Sequence, residues 1–240
     1  MRNQIGDTIE VVDKKIEGYK RDAEAGDASA QYNLGLCYAE GTGVTVDLRE
    51  AVKWYTRAAG AGQVEAQFFL GQCYDLGTGV NVDQHEAVKW YTRAAEGGNS
   101  NAQYNLGVRY RDGIAVDLRE SFKWYTRAAE AGHAKAQLNL GCCYQNGDGI
   151  AVDKHKAFTW FKRSADAGDS DAQYALGKCY FKGDGVDVDK REAIKWFTLA
   201  AKAGNANAQQ CLGHIYKLGD GVSVDIQESN KWHAMAAVPR

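Results

Sequence analysis

Apolar residues fall along this chain in two alternating patterns, each with a helical period. In the first, Ala30, Leu34 and Tyr38 stand at i, i+4 and i+8, with Gly35 on the adjoining flank. In the second, Ala51, Trp54, Tyr55, Ala58 and Ala59 occupy i, i+3, i+4, i+7 and i+8. Each pattern puts one apolar face on an α-helix, with polar residues on the other side. The pair then repeats. The tryptophans, at 54, 90, 124, 160, 196 and 232, are spaced 36, 34, 36, 36 and 36 residues apart. Leu-Gly recurs at 34, 70, 106, 140, 176 and 212, each with a tyrosine three residues beyond the glycine, and Ala-Gln recurs at 30, 66, 102, 136, 172 and 208. A fixed period of this length marks a helical repeat array.

The punctuation between patterns predicts where each helix starts and stops. Asp47 precedes the second pattern with Glu50 three residues on, and Asp83/Glu86, Asp117/Glu120, Asp189/Glu192 and Asp225/Glu228 repeat this capping-box spacing; Asp153/Lys156 keeps only the cap. Val46 and its equivalents stand where a hydrophobic staple to Ala51 is expected. Gly26, Gly62, Gly98, Gly132, Gly168 and Gly204 stop the second helices. Asp27, Asn99, Asp169 and Asn205 cap the next first helix, with Gln63 and His133 as weaker caps. The third copy is two residues short, in the loop Asp112-Gly113-Ile114, and the deletion is expected to be absorbed there. A glycine inside a helix costs about 1 kcal/mol relative to alanine. Its recurrence at Gly35 and its five equivalents therefore predicts that a neighbouring helix passes too close for a Cβ. The tryptophans are expected in the inter-helix core.

Residues 1–26 read as an N-terminal capping half-repeat, with Tyr19 at the Tyr55 position and Gly18 at the tryptophan position. Residues 27–240 read as six repeats in one domain. At the far end Ser229 and His233 make a normally buried face more polar, as expected of a terminal repeat. The fold class expected is all-α: a right-handed α/α superhelical solenoid of six helix-turn-helix repeats.

The string Ala30-Gln31-Tyr32-Asn33-Leu34-Gly35, with Tyr38, Gly41-Thr42-Gly43-Val44, and Ala51 through Trp54-Tyr55 to Ala58-Ala59, resembles the SEL-one-like repeat (SLR) family, relatives of the tetratricopeptide repeats. The resemblance implies an adaptor or scaffold that binds a protein or peptide on its concave surface. In tetratricopeptide relatives the matching flank of each first helix lines that surface. Here the flank carries Tyr32 and Leu36; Phe68 and Gln72; Tyr104, Val108 and Arg111; Leu138 and Gln145; Tyr174, Lys178 and Phe181; and His214. These slots vary between copies while the core slots stay fixed, which suits a binding groove. The same row also fits packing between repeats, and both readings stay open.

Composition narrows the chemistry. With 29 basic and 31 acidic residues, net −2, the chain has no field to draw in nucleic acid, and no apolar run is long enough for membrane insertion. The Gly-Thr-Gly-Val loops lack the Gly-Lys-Ser/Thr ending of a phosphate loop and read as turns. The lysines and arginines of the second helices (Lys53 and Arg57, Lys89 and Arg93, Lys123 and Arg127) could form a basic stripe, but glutamates three residues earlier are placed to neutralise it. Six cysteines lie in first helices only: Cys37, Cys73, Cys142, Cys143, Cys179 and Cys211. This departs from the cysteine-rich SLR branch, whose bridges join the two helices of one repeat. Free buried thiols and a cytoplasmic location, without signal peptide or transmembrane segment, are expected. The five histidines are scattered, so neither a metal site nor a Cys/His nucleophile assembles; no cofactor and no catalysis are expected. The alternative is a hydrolase or β-lactam-binding protein related to the cysteine-rich SLR proteins.

Overall fold

A computed structural model describes residues 14–113 and 116–237. Among the described residues there are thirteen α-helices and no strand. Helix α1 covers residues 14–24. It is followed by α2 (Ala28–Glu40), α3 (Leu48–Gly60), α4 (Val64–Leu76), α5 (Gln84–Glu96), α6 (Ser100–Asp112), α7 (Leu118–Glu130), α8 (Ala134–Asn146), α9 (Lys154–Asp166), α10 (Ser170–Lys182), α11 (Lys190–Lys202), α12 (Ala206–Leu218) and α13 (Ile226–Ala236). The chain divides into two compact units, up to Arg109 and from Tyr110, the boundary falling inside α6. In the first unit α2 packs on α3, α3 on α4 and α4 on α5; in the second each helix from α7 to α13 packs on the next.

The helical glycine is explained by one contact. A Cβ on Gly35 would lie 2.7 Å from Cδ1 of Tyr55, and on Gly71 2.7 Å from Cδ1 of Tyr91. The second unit repeats this with Gly141 against Phe161, Gly177 against Phe197 and Gly213 against His233. The neighbour is therefore the ring after the tryptophan, not helix backbone alone. Tyr55, Tyr91, Phe161 and Phe197 are fully enclosed, and Leu34, Leu70, Leu140 and Leu176 are buried beside them. Four of the six tryptophans take a different place from the core expected for them. Trp54, Trp90, Trp160 and Trp196 are only half-buried at the edge of the core, while Trp124 and Trp232 are buried. Arg57, Arg93, Arg127 and Arg163 lie over the Trp54, Trp90, Trp124 and Trp160 rings at 4.5–4.7 Å. The arginines are thus held on indole faces. The adjoining lysines pair with the preceding glutamates, Lys53 with Glu50, Lys89 with Glu86 and Lys123 with Glu120, so this face is charge-balanced.

The caps form where the sequence places them, with one correction. The Asp47 carboxylate accepts from the Arg49 and Glu50 backbone N–H groups, each at 3.0 Å. The reciprocal half of the capping box is replaced, because Glu50 is taken by Lys53 and the Asp47 N–H donates instead to the Tyr38 carbonyl at 2.9 Å. The same bond joins Asp83 to Tyr74, Asp153 to Tyr144, Asp189 to Tyr180 and Asp225 to Tyr216. It also survives in the shortened third copy, from Asp117 N–H to the Tyr110 carbonyl at 2.8 Å, although Ile114 in that loop lies outside the described residues. The valine staple is corrected too: Val46 is 59% exposed and leans over Gly41. Gly62, at φ 93, ends α3 with its successor's N–H reaching back to the Ala58 carbonyl, a Schellman-type stop. Ser229 is buried and donates to the Gly213 carbonyl at 2.8 Å, so this polar substitution is satisfied inside its helix pair.

Successive repeats are latched by the glutamine of each Ala-Gln pair. Gln67 donates from its amide to the Ala59 carbonyl at 3.2 Å, and Gln31 to Ala23, Gln103 to Ala95, Gln137 to Ala129, Gln173 to Ala165 and Gln209 to Ala201 do the same. All six glutamines are buried. Each carbonyl also accepts the N–H of the stop glycine three residues on, as Ala59 does from Gly62 at 3.1 Å, so the glutamine is its second donor. In the second unit Phe122 and Phe158 add edge-on contacts to Tyr144 and Tyr180, with centroids 5.4 and 5.3 Å apart.

Gly35→Ala should lower stability by about 1–2 kcal/mol despite alanine's better helix propensity, since the enclosed Tyr55 ring must move. Gly60→Ala, where no atom lies within 4 Å, should be neutral or stabilising by up to about 1 kcal/mol; urea melts of the two variants check both. A pH dependence is expected from His133, whose Nδ1 accepts the Ala136 N–H at 3.2 Å, so the cap needs the neutral ring. Burial, with Lys135 acting the same way, pushes its pKa below the ordinary 6.5. The unfolded chain therefore takes up the proton first as pH falls. The cap's stabilisation is complete above about pH 6.5 and is lost on the acid side. His133→Asn, copying Asn99 and Asn205, should remove about 1 kcal/mol of the wild-type loss between neutral and mildly acid pH, measured by pH-dependent thermal melts.

Candidate peptide-binding surface

The flank residues sit on first helices, and all but Phe68 keep part of their surface in solvent. In the first unit Tyr32 lies 6.2 Å from the Tyr55 ring and 5.8 Å from Phe69. Leu36 packs beside them on the core that includes Ala51 and Leu70. Phe68 is placed in the packing between helices, edge-on to Phe69 at 5.4 Å and 6.0 Å from Tyr91, and is 9% exposed. Gln72, Tyr104 and Val108 are half-buried. In the second unit the Arg111 guanidinium binds Asp112 at 2.7 Å and lies 6.0 Å from the Tyr125 ring. Leu138 packs with Cys142 against the Phe161 core, and Gln145 is half-buried.

The last two repeats bring the row together. Tyr174, Lys178 and Phe181 of α10 and His214 of α12 border one pocket of 630 Å³, with Gln210, Cys211 and Ile215 of α12 and Phe197 of α11 completing much of its wall. The Tyr174 ring rests 5.8 Å from Phe197, Phe181 rests 6.2 Å from it, and the Lys178 ammonium lies 5.3 Å from the Tyr174 centroid. Burial, with Cys211 nearby, raises the Tyr174 pKa, so its hydroxyl stays protonated. Lys182 stands one turn beyond Lys178 on α10 and Asn207 one turn before Gln210 on α12, so both continue the row, while Asp220 reaches the rim from the turn after α12, where helical periodicity does not extend.

A polar set that periodicity does not reveal lies in the first unit. Arg109 reaches Asp75 at 3.3 Å and Gln84 at 3.0 Å, while Tyr91 donates its hydroxyl to Asp75 at 3.3 Å. A signal was present: Arg109 stands in the slot where other copies carry Cys37, Cys73, Cys143, Cys179 and Ile215, so a buried charge there demands a partner. The turn aspartates also have partners, Asp184 with Lys154 at 2.7 Å and Asp220 with Lys190. Burial pushes the Cys73 and Cys179 thiols up to about 11 and Cys143 to about 12, leaving them protonated near neutral pH. All six cysteines are free thiols. Among the described residues no cluster of three His, Cys, Asp or Glu is placed to hold a metal ion, and no helix is long and apolar enough to cross a membrane.

Paired helices joined by glycine turns, latched repeat to repeat and bearing half-exposed side chains along their first helices, define an all-α repeat protein of the solenoid class. The Sel1 repeat matches six times, at residues 28–63, 64–99, 100–133, 134–169, 170–205 and 206–237, and the chain belongs to the Sel1 repeat family. It is similar to the solved structure of c5321, a protective antigen present in uropathogenic Escherichia coli strains that displays an SLR fold. The identity is 35% and the TM-score 0.89 over 92% of this chain and 48% of that one. The chain thus spans about half the length of the E. coli protein. A Sel1 repeat protein from Oxalobacter formigenes is 34% identical with a TM-score of 0.79, over 94% of this chain and 96% of that one. The immunity protein PA5088 from Pseudomonas aeruginosa shares the fold at 19% identity and a TM-score of 0.53, covering 87% and 80% of the two chains. No curated protein matches the chain. Sel1 repeat proteins are in general non-catalytic, protein-interaction scaffolds.

Proposed function

We propose that this protein is a non-catalytic scaffold that holds a peptide or protein segment along the first-helix flank. Tyr174, Lys178, Phe181 and His214 form its best-developed contact site. The observation that carries this reading is their convergence on one pocket with aromatic walls and polar groups at the rim, the usual make-up of a recognition site. Residues 1–26, of which 1–13 lie outside the described residues, serve as a capping half-repeat, and residues 27–240, described as far as 237, as the repeat domain. The Gln31 bond to Ala23, made as every later glutamine makes it, supports that division. Six free thiols favour a reducing compartment such as the cytoplasm. The hydrolase alternative gains no support from Cys73, Cys143 and Cys179, whose burial keeps them in the poorly nucleophilic thiol form.

Panning a phage-displayed library of random dodecapeptides against the folded protein tests the proposal. Enriched peptides should lose about 1–3 kcal/mol of binding on Phe181→Ala and on Tyr174→Ala, with melting temperatures changed by only a few degrees. Enriched peptides that bind the variants as tightly as wild type would contradict the site. So would variants that melt early yet keep full affinity per folded molecule, which would make the rings packing residues.

A further inference from the structure

We infer that the pocket of the last two repeats recognises an acidic peptide segment carrying one bulky apolar side chain, an inference that rests on the scaffold reading above. The walls supply the apolar half: Tyr174, Phe181, Phe197 and Ile215 leave a space of 630 Å³, within the range of about 300–1,000 Å³ typical of ligand pockets. The rim supplies the charge. Lys178 and Lys182 have no carboxylate partner among the described residues, and Lys178 is held beside the Tyr174 ring. The one carboxylate at the rim, Asp220, is engaged by Lys190 and so does not neutralise them. His214 donates from Nδ1 to the Gln210 carbonyl at 2.8 Å, which fixes the ring and leaves Nε2 for a ligand.

This charge is local to the pocket. The Lys178 slot holds Leu36, Gln72, Val108 and Cys142 in the first four repeats, and the Lys182 slot holds Glu40, Leu76, Asp112 and Asn146. A chain of net charge −2 has therefore placed two unpaired ammonium groups beside its aromatic pocket and nowhere else along these two rows. Ammonium groups at the rim attract carboxylates and discriminate against basic segments. Two lysines are too few for nucleic acid, whose binding rests on many phosphate contacts. An apolar anchor flanked by aspartate or glutamate matches both halves.

The test uses the full chain and fluorescein-labelled acetyl-Asp-Glu-Phe-Glu-Asp-amide. Two analogues accompany it, one with alanine for phenylalanine and one with lysine for every acid, together with oligothymidylate. Fluorescence polarisation should show the acidic peptide binding at least about tenfold more tightly than either analogue, and more weakly as salt is raised. The double variant Lys178→Glu/Lys182→Glu should lose at least about tenfold per folded molecule, with Lys178→Gln/Lys182→Gln between it and wild type and melting within a few degrees of wild type, because these lysines carry no internal ion pair. Equal binding of the lysine or alanine analogue, tighter binding of oligothymidylate, or no binding of any probe would overturn the inference. Binding of the panned random peptides is measured separately, so the scaffold reading can stand where the acidic one falls.

Discussion

A glycine on the first helix of each pair and a ring on the second set the helix spacing on which the rest of the structure depends. At five repeats a Cβ on that glycine would stand within 2.5–2.7 Å of ring carbons, so the aromatic residue fills the volume that any other side chain would need. Packing at interior density leaves no freedom to relax this by tenths of an ångström without moving the helix. Alanines such as Ala58 and Ala59 carry the next layer to near contact. With that spacing the Tyr38 carbonyl of α2 falls within reach of the Asp47 N–H at the start of α3. The Gln67–Ala59 bond acts at the next joint, between α3 and α4, and carries one helix pair to the following one.

Much of this was legible in the sequence because it is written six times. Helix register, the glycine stops, the aspartate caps and the need for close approach at Gly35 all come from period and residue type. The identity of the neighbour at Gly35 did not. Periodicity puts Trp54 and Tyr55 on the same face, and only the rotation of α3 against α2 decides that the tyrosine goes inside while the tryptophan lies at the edge under Arg57. The capping box failed for a related reason. Glu50 has two possible partners at three-residue spacing, the Asp47 N–H and Lys53; a carbonyl from the preceding helix satisfied the first and freed the glutamate for the second. The latch glutamine was visible as a recurring letter, but its partner lies eight residues back across a turn, a distance helical periodicity does not encode.

The candidate site was legible in part. Helix geometry put Tyr174, Lys178, Phe181 and His214 on one flank, and the structure gathers these four around a pocket. The same rule put Phe68 there, where neighbouring rings Phe69 and Tyr91 enclose it. The difference lies in the next residue along the chain: Phe69 adds a second ring beside Phe68, whereas Ala175 after Tyr174 leaves room. Repetition thus fixes the scaffold, and departures from it carry the chemistry. Arg109 in a thiol slot and Lys178 in an otherwise uncharged one are two such departures, the first answered internally by Asp75 and Gln84, the second left open to solvent.

The claim that the glycine–ring contact governs helix spacing is tested most directly by a double-mutant cycle at Gly141 and Phe161, where the ring has no polar group and is 1% exposed. If the contact governs, Gly141→Ala should be costly with Phe161 present and neutral or stabilising once Phe161→Leu has removed the ring atoms. The coupling should then be about 1–3 kcal/mol in urea melts. Equal costs of Gly141→Ala in both backgrounds would show that the glycine answers to something other than the ring, and would contradict the account.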